Sequence, residues 1–427
     1  MAILGGVRCR VAATRRPHEA GLSWARPLLL PGADAPMTTL LNAWNRHRRT
    51  AIGLAVAAMV AIALYRLGFA SARLLFNYGD WANIDIRLFH GLVHAWFAGE
   101  PLRGSVYPPA TYALLWPFLG WLEIESARWL WAMTSAGALG WLARIAVREG
   151  GPSDLPQRLF LGLIPFAMYA TSATIGNGQL ALHVMPPLIA GTLLVHRRRD
   201  FASDCVAAGF ILLSLVKPTV SAPFFWVVVF CVGSVRPAAM VVGGYLGLTG
   251  LAALLRDPPL PTVVQESIDS GVEGLAIGSA ELGGGFANLH DWLTALGLAE
   301  WNLAASLVSL GALGIWVFRH RGIDPWILLG VSALVSRFWA YHRLHDDLVI
   351  IVPMIALFRI AQHPGSGPTA GWAGILLIGT WAGSMVPAGL LFAPPPIDSL
   401  FEIGQTAVWA SVLGYLLWFA RGEPAAS

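Results

Sequence analysis

Charged side chains are scarce in this sequence: Asp, Glu, Lys and Arg make up 12% of its 427 residues, whereas 56% are hydrophobic. A soluble globular protein keeps about 25% charged residues. Half that charge excludes an ordinary soluble fold, because most of the surface must then face lipid. The 19 Trp residues agree, since indole rings favour the membrane–water interface. The sequence therefore predicts an all-α, polytopic membrane protein.

Cysteine is also rare, with three scattered residues at Cys9, Cys205 and Cys231. Two of them lie inside apolar runs, so neither a disulfide framework nor a metal-binding spacing is indicated. The formal net charge of +4 comes from short basic tracts between apolar runs. This arrangement indicates orientation in a membrane rather than binding to nucleic acid.

The first 36 residues are rich in Arg and Pro and lack the pattern of a signal peptide. Met37 is an alternative start. In either case we expect residues 1–49 to form a basic cytoplasmic tail. No internal repeat is visible, so a single membrane domain is expected over 50–420, followed by a cytoplasmic tail over 421–427.

A membrane span needs about 20 mostly apolar residues, and the sequence predicts about 11–13 of them. The candidate spans lie near 50–67, 107–122, 127–147, 159–175, 180–195, 205–216, 219–234, 237–255, 301–318, 324–336, 348–361, 370–392 and 403–420. If the basic tracts are cytoplasmic, the outer segments are 68–106, 172–179, 217–218, 256–300, 337–347 and 393–402. One stretch, 107–147, must begin outside and end inside, yet it holds two apolar runs. Either 107–122 is re-entrant or one basic tract is misassigned.

Two carboxylates, Asp80 and Asp85, follow the first span on its outer side. A carboxylate at the membrane surface can accept a proton from an alcohol and act as a general base. The alternative is a residue that only caps the next helix. Lys217, between two apolar runs, either binds an anionic phosphate or extends its ammonium to the interface.

Two more outer segments hold polar groups. The turn at 175–179 sets two glycines, Gly176 and Gly178, beside two amides, Asn177 and Gln179. Such a turn suits a close approach of backbone to ligand or merely ends a helix. Seven of the eleven residues in segment 337–347 are ionisable. Arginines there can bind phosphate, and His or Asp can move protons. A metal site of His342, His345 and Asp346 is an alternative that the neighbouring arginines disfavour. Segment 256–300 either covers a site or is a linker.

These residues, in this order, resemble glycosyltransferase family 87. The resemblance covers about residues 50–420 and rests on Asp85, Phe89, Gly99, Tyr107-Pro108-Pro109, Gly178-Gln179, Lys217-Pro218, and Ser336 to His342. The family belongs to the GT-C superfamily, which contains polyprenyl-phosphate-mannose-dependent mannosyltransferases. The sequence departs from the family pattern at Arg337, where a proline usually follows the serine.

The resemblance implies a GT-C fold in which the first extracytoplasmic loop carries the catalytic Asp. It implies an inverting hexosyltransferase that moves a sugar, most often mannose, from polyprenyl phosphate to a lipid or glycan acceptor in the cell envelope. Asp85 is then the base, with Asp80 in reserve, and His342 matches a late histidine of the family. The expected substrate-binding residues are Tyr107, Gln179, Lys217, Arg337, Arg343, His345 and Asp346. No cofactor or metal is implied, because the lipid phosphate leaves as an anion.

Two other classes of function remain. A transporter or flippase of a lipid-linked sugar would carry ionisable groups near mid-membrane and often repeated halves. A non-catalytic scaffold would not need both outer carboxylates and the 336–347 cluster. High Ala, Gly and Arg usage is typical of a GC-rich genome, so the expected location is a bacterial cytoplasmic membrane. The expected partners are the donor lipid, the acceptor and the bilayer, with no nucleic acid.

Overall fold

The computed structural model describes the backbone of residues 34–77, 79, 82–100, 102, 105–198, 200–230, 235–256, 258–281, 288–363, 367–387, 389–390 and 393–422. Within these, the side chains of 34–46, 48–49, 272–281 and 367 are not described. The chain divides into two units, Met1–Arg48 and Arg49–Ser427. In the first unit residues 34–48 are helical. The second unit is the membrane domain.

All regular secondary structure in the described residues is helical, which confirms the all-α prediction. The α-helices are α1 (Asp34–Phe76), α2 (Ile84–Phe97), α3 (Pro109–Leu119), α4 (Ile124–Gly150), α5 (Leu155–Ala167), α6 (Tyr169–Asn177), α7 (Ala181–Arg197), α8 (Phe201–Ser214), α9 (Pro218–Phe230), α10 (Val235–Leu254), α11 (Leu260–Glu281), α12 (Leu289–Ala295), α13 (Asn302–Arg319), α14 (Pro325–Phe338), α15 (Ile351–Gln362), α16 (Gly367–Met385) and α17 (Ile397–Gly422). A 3-10 turn, Ala299–Trp301, precedes α13, and a 3-10 segment, Leu344–Ile350, joins α14 to α15.

Five of the described helices are long and apolar enough to cross a membrane, and the bent pair of α5 and α6 brings this number to six. Helices α8, α9 and α14 are apolar but shorter. Each predicted apolar run lies wholly or largely on one of the helices or on the bent pair. The protein is therefore a multi-pass membrane protein, as the sequence predicts.

The bend between α5 and α6 measures 41°. The last carbonyls of a helix have no helical partners, so those at the end of α5 need other donors. Such a break is tolerated inside a membrane only where other groups satisfy the backbone. Arg66 of α1 does so: its guanidinium donates to the carbonyl of Ala167 and to that of Met385 in α16, each at 2.6 Å. The hydroxyl of Thr171 donates to the carbonyl of Pro165. Arg66 thus has a structural role within the first span.

Polar contacts join the ends of α4, α7 and α15 to the start of α14. We name this side of the helix bundle the Glu149 end. Glu149, at the end of α4, accepts two hydrogen bonds from Arg197 at the end of α7. Arg359, near the end of α15, donates to the Glu149 carbonyl at 2.7 Å and to Asp324 at 2.7 Å. Asp324 in turn caps the start of α14. Two predicted basic tracts therefore lie together on one side of the helix bundle.

The opposite ends meet around Lys217 and Asp346, and we name this the Asp346 end. The short helix α3 lies here: the hydroxyl of Thr111, near its start, donates to the Val216 carbonyl at 3.0 Å. The carbonyl of Leu122, just beyond α3, contacts His90 of α2 at 2.8 Å. An 11-residue helix is about 16 Å long and cannot cross a bilayer core of about 30 Å. Of the two alternatives for 107–147, the structure supports the one in which the apolar run 107–122 does not cross the membrane.

The substitution Glu149→Gln tests how much the ion pair with Arg197 contributes to the stability of the fold. Glu149 is 7% exposed while the Arg197 side chain is 45% exposed, so Glu149→Gln leaves a cation that water can partly solvate. We expect a loss of about 1–3 kcal/mol in the free energy of unfolding, below the range for a fully buried pair. A lower melting temperature of the purified protein in detergent measures it. Glu125→Gln is the matched control, because Glu125 is 69% exposed and its pair with Arg128 contributes little. Equal melting temperatures for the two variants would contradict the prediction.

Candidate functional site

A buried ion pair lies at the centre of the Asp346 end. Lys217 occupies the turn between α8 and α9, and its Nζ lies 2.5 Å from Oδ1 of Asp346 in the 3-10 segment. Lys217 is 5% exposed and Asp346 is 1% exposed. Burial alone raises the pKa of the Asp346 carboxyl, but the ammonium of Lys217, together with His345 and His342, outweighs burial and holds that pKa below its ordinary value. Lys217 is therefore paired inside the protein and does not extend to the interface.

Gln179 and Tyr107 extend this centre toward α3. Gln179 follows α6, and its Oε1 accepts hydrogen bonds from the Lys217 ammonium at 3.3 Å and from the backbone N–H of Leu180 at 2.7 Å. The Tyr107 hydroxyl is hydrogen-bonded to the Gln179 side chain. Burial raises the pKa of Tyr107 well above its ordinary value, with Asp85 acting in the same direction. Tyr107 thus presents a protonated hydroxyl near the carboxylates of Asp85 and Asp346.

Asp85 faces the same cluster from the first turn of α2. Its carboxylate is hydrogen-bonded to the Asn177 side chain and lies within electrostatic range of Lys217, Asp346 and Arg343. Burial raises the pKa of Asp85 to about 6, although Lys217 and the hydrogen bond from Asn177 lower it. The N-cap of α2 is Asn83 rather than Asp85. Helix capping therefore does not account for the Asp85 side chain.

The close packing of α2 on the end of α6 depends on Gly178. Gly178 has φ +76°, and a Cβ built there would lie 2.5 Å from the Cβ of Ile86. The backbone N–H of Asn83 donates to the Gly176 carbonyl at 3.0 Å. Glycine at 178 lets the turn after α6 lie directly against the first turn of α2. This contact brings Asp85 within reach of Gln179 and Lys217.

A second carboxylate, Asp347, points away from Lys217 into the helix bundle. It pairs with Arg337 at 2.5 Å, contacts Nε2 of His342 at 3.1 Å, and accepts a hydrogen bond from the Tyr169 hydroxyl. The guanidinium of Arg337 lies 4.7 Å from the centroid of the Trp409 ring. Burial lowers the pKa of His342, and Arg337 adds to this effect. Arg337 and His342 thus face a protein carboxylate.

His345 and Arg343 complete the first cluster. The Nε2 of His345 lies 3.7 Å from Oδ2 of Asp346, and burial lowers the His345 pKa to about 3. The backbone N–H of Arg343 donates to Oδ2 of Asp346 at 3.2 Å, and its Nε donates to the Tyr341 hydroxyl. Residues 341–343 are not helical, so His342 lies outside the 3-10 segment that carries His345 and Asp346. His342 and His345, considered together for a metal site, contact different carboxylates.

The structure thus divides the predicted site residues into two groups. One cluster, which we name the Asp85 cluster, consists of Asp85, Tyr107, Gln179, Lys217, Arg343, His345 and Asp346. Arg337 and His342 belong to the adjoining Asp347 network, and Asp80 lies outside the described residues. The predicted roles of all these side chains remain predictions.

The sequence did not single out Arg73 and Asn177 as site residues, yet both contact the Asp85 cluster. One signal was present for Arg73. It lies beyond the first apolar run, 50–67, on the side expected to be extracytoplasmic, where arginine is uncommon. For Asn177 the signal was the 175–179 turn, in which two amides, Asn177 and Gln179, stand beside two glycines.

A pocket lies beside the Asp85 cluster and shares Tyr107 with it. The Arg256 guanidinium lies 4.7 Å from the Trp96 ring centroid, 3.3 Å from Glu266, and donates to the Glu100 carbonyl. The pocket encloses about 230 Å³, part of it open to solvent, and is lined by Trp96, Leu102, Ser105, Tyr107, Tyr112, Arg256, Glu266, Ser267 and Ser270. Segment 256–300, expected to cover a site or act as a linker, contributes α11 to this pocket.

The family model of glycosyltransferase family 87 matches residues 106–349, more than half of the chain. The chain belongs to glycosyltransferase family 87. This confirms the resemblance stated from the motifs and makes the protein a membrane-embedded glycosyltransferase. No curated protein and no solved structure matches the chain. The matched range holds Tyr107, Gln179, Lys217 and the whole 336–347 segment, whereas Asp85 precedes it.

The Gly178 contact is tested by comparing two glycine substitutions. Gly178 and Gly99 both have positive φ, at +76° and +78°, so alanine strains the backbone at either position. Only at 178 does the new Cβ collide with α2, since nothing lies within 4 Å of a Cβ at 99. We expect Gly178→Ala to lower sugar-transfer turnover at least about tenfold, because displacement of a catalytic group by about 1 Å costs that much or more. Gly99→Ala should retain most turnover. Similar turnover in both variants would show that the α2 contact does not matter.

Proposed function

We propose that this enzyme transfers a hexose, mannose in the first instance, from a polyprenyl-phosphate donor to a hydroxyl of a lipid or glycan acceptor, with inversion. The observation that carries the proposal is the Asp85 cluster itself. It sets a carboxylate with a pKa of about 6 beside the cations of Lys217 and Arg343. A base and an anion-binding region at one end of a multi-pass membrane protein suit a sugar donor carried by a lipid phosphate.

In the proposed reaction Asp85 removes the proton of the acceptor hydroxyl. The acceptor oxygen attacks the anomeric carbon from the face opposite the phosphate. The bond between that carbon and the phosphate oxygen breaks, and its electron pair leaves with the phosphate. One direct displacement inverts the anomeric configuration. Lys217 and Arg343 stabilise the charge that develops on the phosphate, because fixed cations in a partly desolvated site need no reorganisation.

The proton affinity of Asp85 supports its role as the base. A general base is most effective when its pKa lies near the working pH, since it is then both ionised and able to hold a proton. Burial raises the pKa of Asp85 to about 6, closer to neutrality than an ordinary aspartate. Asp346 differs, because Lys217 holds its pKa low. Of these two carboxylates in the cluster, Asp85 is thus the better proton acceptor.

The proposal includes sidedness. The basic residues Arg197 and Arg359 lie at the Glu149 end, and arginine is enriched in cytoplasmic segments. The Asp346 end is then extracytoplasmic, in a bacterial cytoplasmic membrane, where the acceptor belongs to the cell envelope. Family membership favours the enzyme over the alternative of a transporter or flippase, and no metal or cofactor is required by the proposed displacement.

Removal of the Asp85 carboxylate tests the proposed reaction. Asp85→Asn should lower transfer from polyprenyl-phosphate mannose by about 10²–10⁴-fold, the contribution of general-base catalysis, because no other base replaces it. The melting temperature above pH 6 should not fall. Asp85 is charged at that pH and burial disfavours the charge, whereas asparagine carries none. Radiolabelled donor with purified enzyme measures transfer.

Asp269→Asn is the matched control for this substitution, because Asp269 is exposed on α11 and the charge change is the same. Wild-type turnover in Asp85→Asn would reject Asp85 as the base. Movement of intact lipid-linked sugar across vesicle membranes, without any transfer, would instead support the transporter.

The pH dependence gives an independent test. The folded pKa of Asp85 is raised to about 6, and only the ionised carboxylate accepts a proton. The kcat/KM for transfer should therefore fall about tenfold for each pH unit below 6 and level off above about pH 7. Initial rates between pH 5 and 8 at matched ionic strength measure the profile. A rate that stays constant down to pH 5 would contradict the assignment.

A further inference from the structure

Arg73 reaches into the site from the last turn of α1, although the proposed reaction does not use it. Its Nη2 donates a hydrogen bond to Oδ1 of Asn177 at 2.8 Å. A Cβ at Gly176 would lie 3.3 Å from the Nη1 of Arg73, so the guanidinium rests directly on the glycine backbone. The Asn177 side chain in turn is hydrogen-bonded to Asp85. Asn177 thus stands between an arginine and the proposed base.

The chemistry of these three groups determines which way the Asn177 amide points. An arginine side chain only donates hydrogen bonds, so the amide atom facing Arg73 must be the oxygen. An ionised carboxylate only accepts, so the amide atom facing Asp85 must be the NH₂ group. Rotating the amide by half a turn would set donor against donor and oxygen against oxygen. The pair of neighbours therefore selects one orientation of the amide.

The backbone of Asn177 is held to the helix that carries Asp85. The Gly176 carbonyl accepts a hydrogen bond from the backbone N–H of Asn83, at the start of α2. Gly178 packs against Ile86, the residue that follows Asp85. The backbone of Asn177 thus lies close to the first turn of α2, and the contacts with Arg73 and Asp85 direct its amide.

We propose that Arg73 and Asn177 are positioning residues for the base: Arg73 holds the Asn177 oxygen, so that the Asn177 NH₂ group donates to the Asp85 carboxylate and favours its ionised form at the working pH. This inference rests on the proposed function of Asp85. Asn177 acts through its hydrogen bond to Asp85, and Arg73 acts through Asn177 and through its own charge, which lies within electrostatic range of Asp85. Neither residue contacts the donor or the acceptor in this mechanism.

Other charged and titratable groups also face Asp85 and act on its proton affinity. Lys217 and Arg343 favour the ionised carboxylate, and Asp346 disfavours it. The hydroxyls of Tyr107 and Tyr341 are also within electrostatic range. All of these groups come from segments other than α1 and α6 and stay in place when Arg73 or Asn177 is changed. A shift in the titration of Asp85 in such variants therefore reports on the two positioning residues.

The test compares Asn177→Ala and Arg73→Met with the wild type over pH 5–8. A hydrogen bond to a charged group stabilises that charge, so its loss should move the acidic side of the kcat/KM profile upward by about one pH unit. The ionised fraction at pH 6 then falls from about one half to about one tenth, which is about a fivefold loss, while little is lost at pH 8. The KM for the lipid donor should not change. Arg73→Lys, which keeps a donor and a charge, should restore part of the shift.

Two controls accompany these variants. Arg87→Met removes an exposed arginine two residues from Asp85 on the same helix and should leave the profile unmoved. The carboxyl stretching band in infrared difference spectra, with Asp85→Asn as the blank, titrates Asp85 directly in purified enzyme. It yields a result even where a variant has too little activity for a rate profile.

Several outcomes would overturn the inference. A raised KM for the donor with an unmoved profile would make Arg73 a phosphate-binding residue. Equal losses at every pH, with an unchanged infrared titration, would make both residues merely structural. Failure of the proposed function is distinguishable, because turnover in Asp85→Asn would then persist. If Asp85→Asn is inactive and the two variants do not shift the titration, only the role of Arg73 and Asn177 is rejected.

Discussion

The ion pair between Lys217 and Asp346 joins positions 129 residues apart in the chain, and the rest of the site is arranged around it. A buried charge without a partner costs several kcal/mol, so neither residue is stable in this position without the other. The pair therefore holds the turn between α8 and α9 against the 3-10 segment. Gln179 shares the same ammonium, which brings the end of α6 to the pair as well. Asp85 then meets this assembly through the packing of α2 on Gly178.

Asp346 and its neighbour Asp347 have opposite environments. Asp346 faces Lys217 in the cluster, whereas Asp347 binds Arg337, His342 and the Tyr169 hydroxyl within the bundle. The 3-10 segment is thus held by ionic contacts on two sides, which limits how far the cluster can move. This arrangement also explains why His342, though only three residues from His345, contacts a different carboxylate.

Much of the fold was predictable from apolar runs, because a bilayer requires long apolar helices and the chain shows them directly. The topology of 107–147 was not predictable, because loop charge only biases which side of the membrane a segment takes. What decides it is that α3 has partners near the Asp346 end on both sides: Thr111 donates to the Val216 carbonyl, and Leu122, beyond its last residue, contacts His90 of α2. Among site residues, Lys217 and the 336–347 cluster were predictable because charge is rare in this chain. The pairing of each charge was not, because Lys217 and Asp346 are distant in sequence.

The sequence by itself determined that the chain is a multi-pass helical membrane protein and which segments carry its polar chemistry, because both follow from local composition. Its motifs also determined the family. Only the tertiary structure decided that Asp85 faces Asn177, that Arg73 reaches the same amide, and that Arg337 and His342 turn toward Asp347. The first two contacts join segments far apart in the chain, and the third depends on the non-helical turn at 339–343. They depend on how helices pack and on glycines that permit close approach, which local sequence patterns do not encode.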